Sequence, residues 1–191
     1  MSNPPAAPTF RKLAESEMDP AQLKVYRELA SGPRGGVRGP FNALLRSPIL
    51  ADRVQKLGEY LRFESVLPAR LNEFAILITA RHWDAQYEWY AHHLHAMKGG
   101  LKPEIAADLA QGRRPANMQQ DEAVVYDFCS ELHKNHCVSE ATLKRAFDQF
   151  GERGVIDLIG VSGYYTLVSM VLNIDQHPLP AGVTPPLPPL K

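Results

Sequence analysis

The stretch Arg70–Leu101, RLNEFAILITARHWDAQYEWYAHHLHAMKGGL, contains the pattern that decides the fold. Its first half places apolar residues at the i, i+3, i+4 spacing of an amphipathic helix, beginning at Pro68. Asp84 is a suitable N-cap for a second helix, which ends at Gly99–Gly100, a strong helix stop. An antiparallel return at this short junction would lay the two helices side by side.

Helical patterns also cover most of the remaining chain. Besides the two helices above, we predict helices at 19–30, from 47 onward, at 103–110, 119–135, 139–150 and 152–173. The last of these, GVIDLIGVSGYYTLVSMVLN, is apolar on all sides, which predicts burial in the core or at a subunit contact. No convincing run of alternating strand residues occurs, so the predicted fold class is all-α, with seven to eight helices.

The ends of the chain differ in composition from its middle. Residues 1–18 are polar and Pro-rich at the start and are expected to be mobile. We expect residues 19–177 to form a single helical domain. We expect the Pro-rich residues 178–191 to form an extended tail, with packing on a neighbouring subunit as one arrangement. The Gly-rich segment at 31–40 lacks phosphate-loop spacing, so we interpret it as a lid or connector carrying Arg34 and Arg38 toward an acidic substrate.

Charge and composition exclude several classes of function. Basic and acidic residues balance at 21 each, so no net field attracts nucleic acid or an anionic membrane. No apolar run reaches the roughly 20 residues that span a bilayer, and no signal peptide is recognisable, so we expect a cytoplasmic protein without a membrane partner. Cys129 and Cys137 have no metal or redox spacing and are expected to be free thiols.

One helix face collects titratable groups. Glu88 and His92 are four residues apart and therefore one turn apart on a single face, which His95 continues. Glu73, on the preceding helix, would reach them in an antiparallel pair. A surface ion pair or a mixed carboxylate and imidazole metal site is the alternative, but no HExxH-type spacing is present and we expect no metal.

The same residues carry a resemblance. The stretch 70–101 is similar to the core signature of the carboxymuconolactone decarboxylase family, within the AhpD-like superfamily, and residues 38–51 resemble the segment that precedes it. The signature has a leading Glu, two functional positions three apart at a helix start, a His four residues later and a trailing Gly-Leu. The matched positions are Glu73, Ala85, Glu88, His92 and Gly100–Leu101. This likeness covers most of residues 38–175 and implies an AhpD-like helical bundle.

The resemblance implies one of two chemistries. The alkylhydroperoxide reductase branch needs a CxxC, whose thiolate is activated at the helix N-terminus, where this chain has Ala85 and Glu88 instead. The decarboxylase branch needs no cofactor: carbon dioxide leaves, and a protein acid protonates the resulting dienolate at carbon. We therefore expect a lyase acting by acid/base chemistry on a small carboxylated lactone or enol-type substrate. A peroxiredoxin-like antioxidant protein and a non-catalytic small-molecule-binding relative are the alternatives.

The resemblance also implies roles for residues. His92 would be the proton donor or shuttle, Glu88 its partner or the acid/base at carbon, and Glu73 the group that orients His92 or extends the relay. The family builds its pockets between subunits, so we expect a homo-oligomer, as a dimer, trimer or hexamer. Candidates for substrate binding, with core packing as the alternative for the aromatic ones, are Arg70, Arg81, Tyr87, Trp89 and His95.

Overall fold

The computed structural model describes residues 7–32 and 35–189, and within them the protein is an all-α bundle. A single turn of 3-10 helix at Glu15–Glu17 precedes eight α-helices. The α-helices are α1 (Pro20–Ser31), α2 (Phe41–Leu44), α3 (Pro48–Phe63), α4 (Ala69–His82), α5 (Gln86–Lys98), α6 (Pro103–Ala110), α7 (Gln120–Asn135) and α8 (Glu140–Asp175).

Helix α4 is the central element of the bundle. It packs against α5, α6, α7 and α8, and every residue from Phe74 to Arg81 is buried. Phe74, Ile76 and Leu77 are among the largest fully enclosed side chains. A helix enclosed on several sides needs apolar residues around most of its circumference. The segment FAILITA, residues 74–80 of α4, meets this requirement.

The observed helix bounds agree closely with those predicted from sequence, and two local differences are informative. The predicted helices 139–150 and 152–173 form one element, α8, whose only non-helical residue is Gly151 at the predicted junction, with φ 64° and ψ −179°. Helix α2 was not predicted, because its four residues are too few to show periodicity.

The expectation that Asp84 caps α5 is wrong. The N-cap is Ala85, which offers no side-chain acceptor, and Asp84 adopts the left-handed conformation with φ 48°. Its carboxylate instead lies 3.1 Å from the guanidinium of Arg81, one turn back in α4. The backbone N–H of Ala85 donates to the carbonyl of Ala80 at 2.9 Å, which makes the turn between α4 and α5 tight.

Both terminal segments pack against the domain. Within the described part of the 1–18 segment, the backbone N–H groups of Thr9 and Phe10 donate to the carbonyl and the side chain of Asp175, at 2.8 and 2.9 Å. In the Pro-rich tail, Leu187 is buried and exchanges two hydrogen bonds with the side chain of Gln86 in the same chain. Residues 7–18 and 178–189 thus contact the helical domain, and residues 1–6, 190 and 191 lie outside the described range.

Helix α8 is long and apolar enough, by length and composition, to cross a membrane. In this fold 56% of its most apolar window is buried against the rest of the chain. Such burial is typical of the core helix of a soluble protein, and it fits the sequence expectation of an apolar helix packed in the interior.

Candidate functional site

The structure brings Glu73, His92 and Glu88 into direct contact. His92 Nδ1 lies 2.6 Å from Glu73 Oε2, and His92 Nε2 lies 3.0 Å from Glu88 Oε1. All three side chains are largely enclosed, with Glu88 only 3% exposed. The contact between Glu88 and His92 is therefore not an ordinary surface ion pair. The imidazole is buried, and each of its two ring nitrogens contacts a carboxylate.

The pKa of His92 reflects three competing influences. Burial lowers the pKa of the imidazole, but the charges of Glu88 and Glu73, together with hydrogen bonds to both, raise it to about 9. At neutral pH the ring therefore carries both protons and donates from Nδ1 to Glu73. His92 is thus suited to donate a proton, whereas a neighbouring carboxylate has to serve as the base.

The hairpin of α4 and α5 creates this arrangement. The tight turn at Ala85 closes one end of the pair, and Gly99 allows close approach at the other end. A side chain at Gly99 would meet the backbone N of Arg70 at 3.1 Å, so a larger residue would push the end of α5 away from the start of α4. With both ends fixed, the same face of α5 lies opposite Glu73.

A cavity of about 580 Å³ opens on the outer side of this triad, within the range typical of small-molecule sites. Glu88 and His92 line it, whereas Glu73 does not, so Glu73 lies behind the imidazole. Most of the other walls are aromatic and aliphatic side chains. These are Phe41, Phe63, Tyr87, Tyr90, Leu94, Tyr164, Tyr165 and Val168.

Two arginines line the cavity, Arg38 from the Gly-rich loop and Arg62 from the last turn of α3. Neither forms an ion pair with a carboxylate of the described residues. The loop is held close by Gly39, whose added side chain would meet the ring of Tyr87 at 3.3 Å. The loop therefore forms one wall of the cavity and carries Arg38 to it, while Arg34 lies outside the described residues.

The residues predicted to bind substrate fall into two groups. Tyr87 and His95 line the cavity. The structure does not bring Trp89 to it, since this residue is buried in the core, with its ring stacked on His93. Tyr87 and His95 are therefore part of the cavity wall that α5 contributes.

Neither of the predicted arginines lines the cavity. Arg70 is paired with the carboxylates of Asp121 and Glu122, the latter fully buried. Arg81 is buried and forms an ion pair with Asp84 at 3.1 Å, but none of its guanidinium nitrogens makes an aligned hydrogen bond within the described residues. Helical position could not distinguish these arginines from Arg62, because the difference depends on which acidic side chains the other helices contribute.

Sequence reasoning also missed Tyr165. This residue is 2% exposed, lines the cavity, and contacts the His92 ring edge to face, with centroids 5.0 Å apart. The sequence did contain a signal for it, the pair Tyr164–Tyr165 inside an otherwise apolar helix. Burying a phenol hydroxyl costs free energy, so a tyrosine at such a position indicates that the hydroxyl has a use.

The cysteines are free thiols, as predicted, and neither lines the cavity. Cys129 is fully buried beside Ser162, and burial raises the pKa of its thiol to about 12, which suppresses the thiolate. Cys137 is exposed. Among the described residues, no group of three or more His, Cys, Asp and Glu side chains has an arrangement that could hold a metal ion.

Comparison with known proteins supports the fold. The chain is similar to a solved structure of an uncharacterised peroxidase-related protein from Silicibacter sp. TM1040, with a TM-score of 0.71 and 18% sequence identity. The alignment covers 91% of this chain and 92% of the other. No protein-family model matches the sequence, and no curated protein matches it. The likeness is compatible with an all-α AhpD-like bundle and, at this identity, establishes the fold alone.

Proposed function

We propose that the chain is a cofactor-free enzyme of the carboxymuconolactone decarboxylase type, a carboxy-lyase acting on a small carboxylated lactone or enol-type substrate in the cytoplasm. The observation that carries the proposal is the buried Glu73–His92–Glu88 triad at the wall of a cavity. A surface pair would contribute only a few tenths of a kcal/mol, whereas this imidazole is enclosed and charged.

The charges around the cavity favour an anionic substrate. Arg38 and Arg62 are cations without a carboxylate partner among the described residues, and the remaining walls are largely apolar. A guanidinium binds a carboxylate through two parallel hydrogen bonds, while apolar walls accommodate the body of a small ring. A compact molecule with one or two carboxylates and an apolar ring meets both requirements.

The chemistry follows from the positions of the protons. When carbon dioxide leaves, the electrons of the broken C–C bond pass through the double bond to the lactone carbonyl and form a dienolate. Glu88 and His92 face the cavity, so the proton that returns to carbon comes from this pair. Glu73 holds Nδ1 of His92 and keeps the ring oriented, and positioned acid/base groups typically accelerate reactions by roughly 10²–10⁴-fold.

The rival function is a thiol-dependent peroxidase, because the similar solved structure is that of a peroxidase-related protein. This chain has Ala85 and Glu88 where the dithiol motif would lie, and the pKa of Cys129 is raised, not lowered. A peroxidatic cysteine requires an accessible thiolate. The geometry therefore favours acid/base chemistry over peroxide reduction.

The protein is further proposed to form a homo-oligomer through the outer face of α8. Ile156, Ile159, Met170 and Ile174 are exposed there, by 65%, 44%, 42% and 69%. Their spacing of three, eleven and four residues places them on one stripe, and Gly163 lies on the same stripe with open space above it. Because the stripe is continuous and apolar, a second copy is its expected partner, and Ile159→Glu should shift the protein to monomers in sedimentation velocity.

The test of the enzymatic proposal uses Glu88→Gln, with Glu104→Gln on the exposed face of α6 as the matched control. Purified variants are assayed for release of carbon dioxide from 4-carboxymuconolactone and related carboxylated butenolides. We expect Glu88→Gln to reduce turnover by about 100-fold or more without loss of helical content, and Glu104→Gln to match the wild type. Equal turnover by both variants would rule out the proposed role of the triad.

A further inference from the structure

The hydroxyl of Tyr165 is a polar group of the cavity that has no role in the chemistry above and belongs to the side chain in contact with His92. It has no hydrogen-bond partner among the described residues, although the side chain is nearly enclosed. Among the described residues, some side-chain nitrogen and oxygen atoms are fully enclosed and make no hydrogen bond. These atoms belong to Asn72, Arg81 and Ser169. Tyr165 is not among them, so its hydroxyl keeps access to the cavity that the residue lines.

The Tyr165 side chain is held in a fixed position at the cavity wall. The Tyr165 ring is fixed by edge contacts with His92 and Tyr164, both with centroids 5.0 Å away and planes inclined by 81°. The hydroxyl is therefore a preorganised donor at the wall of the cavity.

Rigid placement beside the triad limits what this hydroxyl can bind. Burial, and then the negative charge of Glu88, raise the pKa of Tyr165 well above its ordinary value. The phenol therefore stays protonated and acts as a hydrogen-bond donor to an anion or a carbonyl. Donors held in place where negative charge develops stabilise a transition state more than they stabilise the ground state.

We propose that Tyr165 donates a hydrogen bond to the substrate oxygen on which negative charge develops while the Glu88–His92 pair exchanges a proton at carbon. This inference rests on the proposed acid/base function. It specifies the substrate further: the carbon that exchanges the proton must be conjugated to a carbonyl, whose oxygen becomes the enolate that Tyr165 stabilises. Tyr165 transfers no proton; its O–H bond stays intact and only the hydrogen bond strengthens.

The experiment measures binding of a stable enolate mimic, so that it does not depend on turnover. The probe is 4-hydroxy-3-nitrobenzoate, which offers a carboxylate and a coloured phenolate; 3-nitrobenzoate, without the hydroxyl, is the matched ligand. The variant is Tyr165→Phe, which removes one oxygen atom, and Tyr126→Phe outside the cavity is the matched protein control. Helical content and thermal unfolding of each variant are recorded first.

We expect Tyr165→Phe to bind the phenolate at least about tenfold more weakly than the wild type, because hydrogen bonds to charged groups are the stronger ones. Binding of 3-nitrobenzoate should stay unchanged, and the pKa of the bound phenol should be higher in the variant than in the wild type. Tyr126→Phe should match the wild type throughout. Equal loss for both ligands, no loss for either, or no phenolate binding by the wild type would overturn the assignment.

A turnover arm separates this inference from the function on which it rests. If Glu88→Gln abolishes turnover and Tyr165→Phe lowers kcat at least about tenfold with little change in KM, both hold. Loss in Glu88→Gln with full kcat in Tyr165→Phe overturns the role of Tyr165 alone. Full turnover in Glu88→Gln overturns the proposed function, and the phenolate titration then still decides whether Tyr165 binds an oxyanion.

Discussion

The imidazole of His92 is joined to Glu73 by a hydrogen bond of 2.6 Å, which links the middle of α5 to the first half of α4. Glu73 does not line the cavity, so its effect on any bound molecule passes through the ring. The same ring contacts Glu88 on its other side, at 3.0 Å. Glu73 therefore holds one side of the imidazole from behind, and Glu88 pairs with its other side and lies at the cavity, within reach of a bound molecule.

Neutralising Glu73 should lower the pKa of His92. Glu73→Gln keeps an oxygen that can accept the hydrogen bond but removes one of the two negative charges that stabilise the imidazolium. We expect the pKa of His92 to fall from about 9 toward its ordinary value, as measured by NMR titration of ¹⁵N-labelled histidine. Glu104→Gln, in an exposed position, should leave the titration unchanged, and an unshifted His92 in Glu73→Gln would contradict the charge argument.

The stability of the protein should decline between about pH 6.5 and pH 9 because of His92. Below pH 6.5 the imidazole is protonated in both folded and unfolded chains, and the full stabilisation is present. As the pH rises, the unfolded chain releases the proton first, so stability falls until the folded pKa of about 9 is passed. The loss is on the order of 3 kcal/mol, at about 1.4 kcal/mol for each pH unit.

Urea unfolding at a series of pH values checks this dependence. The variant His92→Gln should be less stable than the wild type at neutral pH, yet it should lose the decline across that window. If the wild type and His92→Gln show the same slope of unfolding free energy with pH, the decline belongs to other groups.

Replacing Arg70 should lower stability and leave substrate affinity unchanged. Arg70→Met removes the cation that pairs with Asp121 and with the fully buried Glu122, so an unpaired charge remains in the interior. Breaking such a buried pair typically costs about 3–5 kcal/mol. Arg113→Met, which breaks an exposed pair with Asp108, is the matched control and should cost less than about 1 kcal/mol. A raised KM in Arg70→Met at full stability would instead restore the substrate-binding prediction.

The tail should contribute to the stability of the single chain. Leu187 is buried and joined to Gln86 at the start of α5, so Leu187→Ala should lower the free energy of unfolding by about 2–5 kcal/mol in chemical denaturation. Thr184→Ala, at an exposed position of the same tail, should have almost no effect. If the loss in Leu187→Ala depends on protein concentration, the tail packs on a neighbouring subunit instead.

The local sequence was sufficient to predict all the longer helices and the contact between Glu88 and His92. Helix starts at Pro20, Pro48 and Pro103 and the stop after Lys98 depend on proline geometry and glycine freedom, which act within a few residues. The contact between Glu88 and His92 follows from helical periodicity alone, since residues four apart lie on one face. Gly151 interrupts α8 at the predicted junction for the same local reason.

Contacts between distant parts of the chain were decided only by the tertiary structure. Arg62 and Tyr165 reach the cavity while Arg70 turns to Asp121 and Glu122, and nothing local to these residues distinguishes the three. The elevated pKa of His92 likewise requires two carboxylates and complete burial at once. Periodicity specifies which face of a helix a residue occupies, but the charge and solvent exposure of that residue depend on the helices that pack against this face.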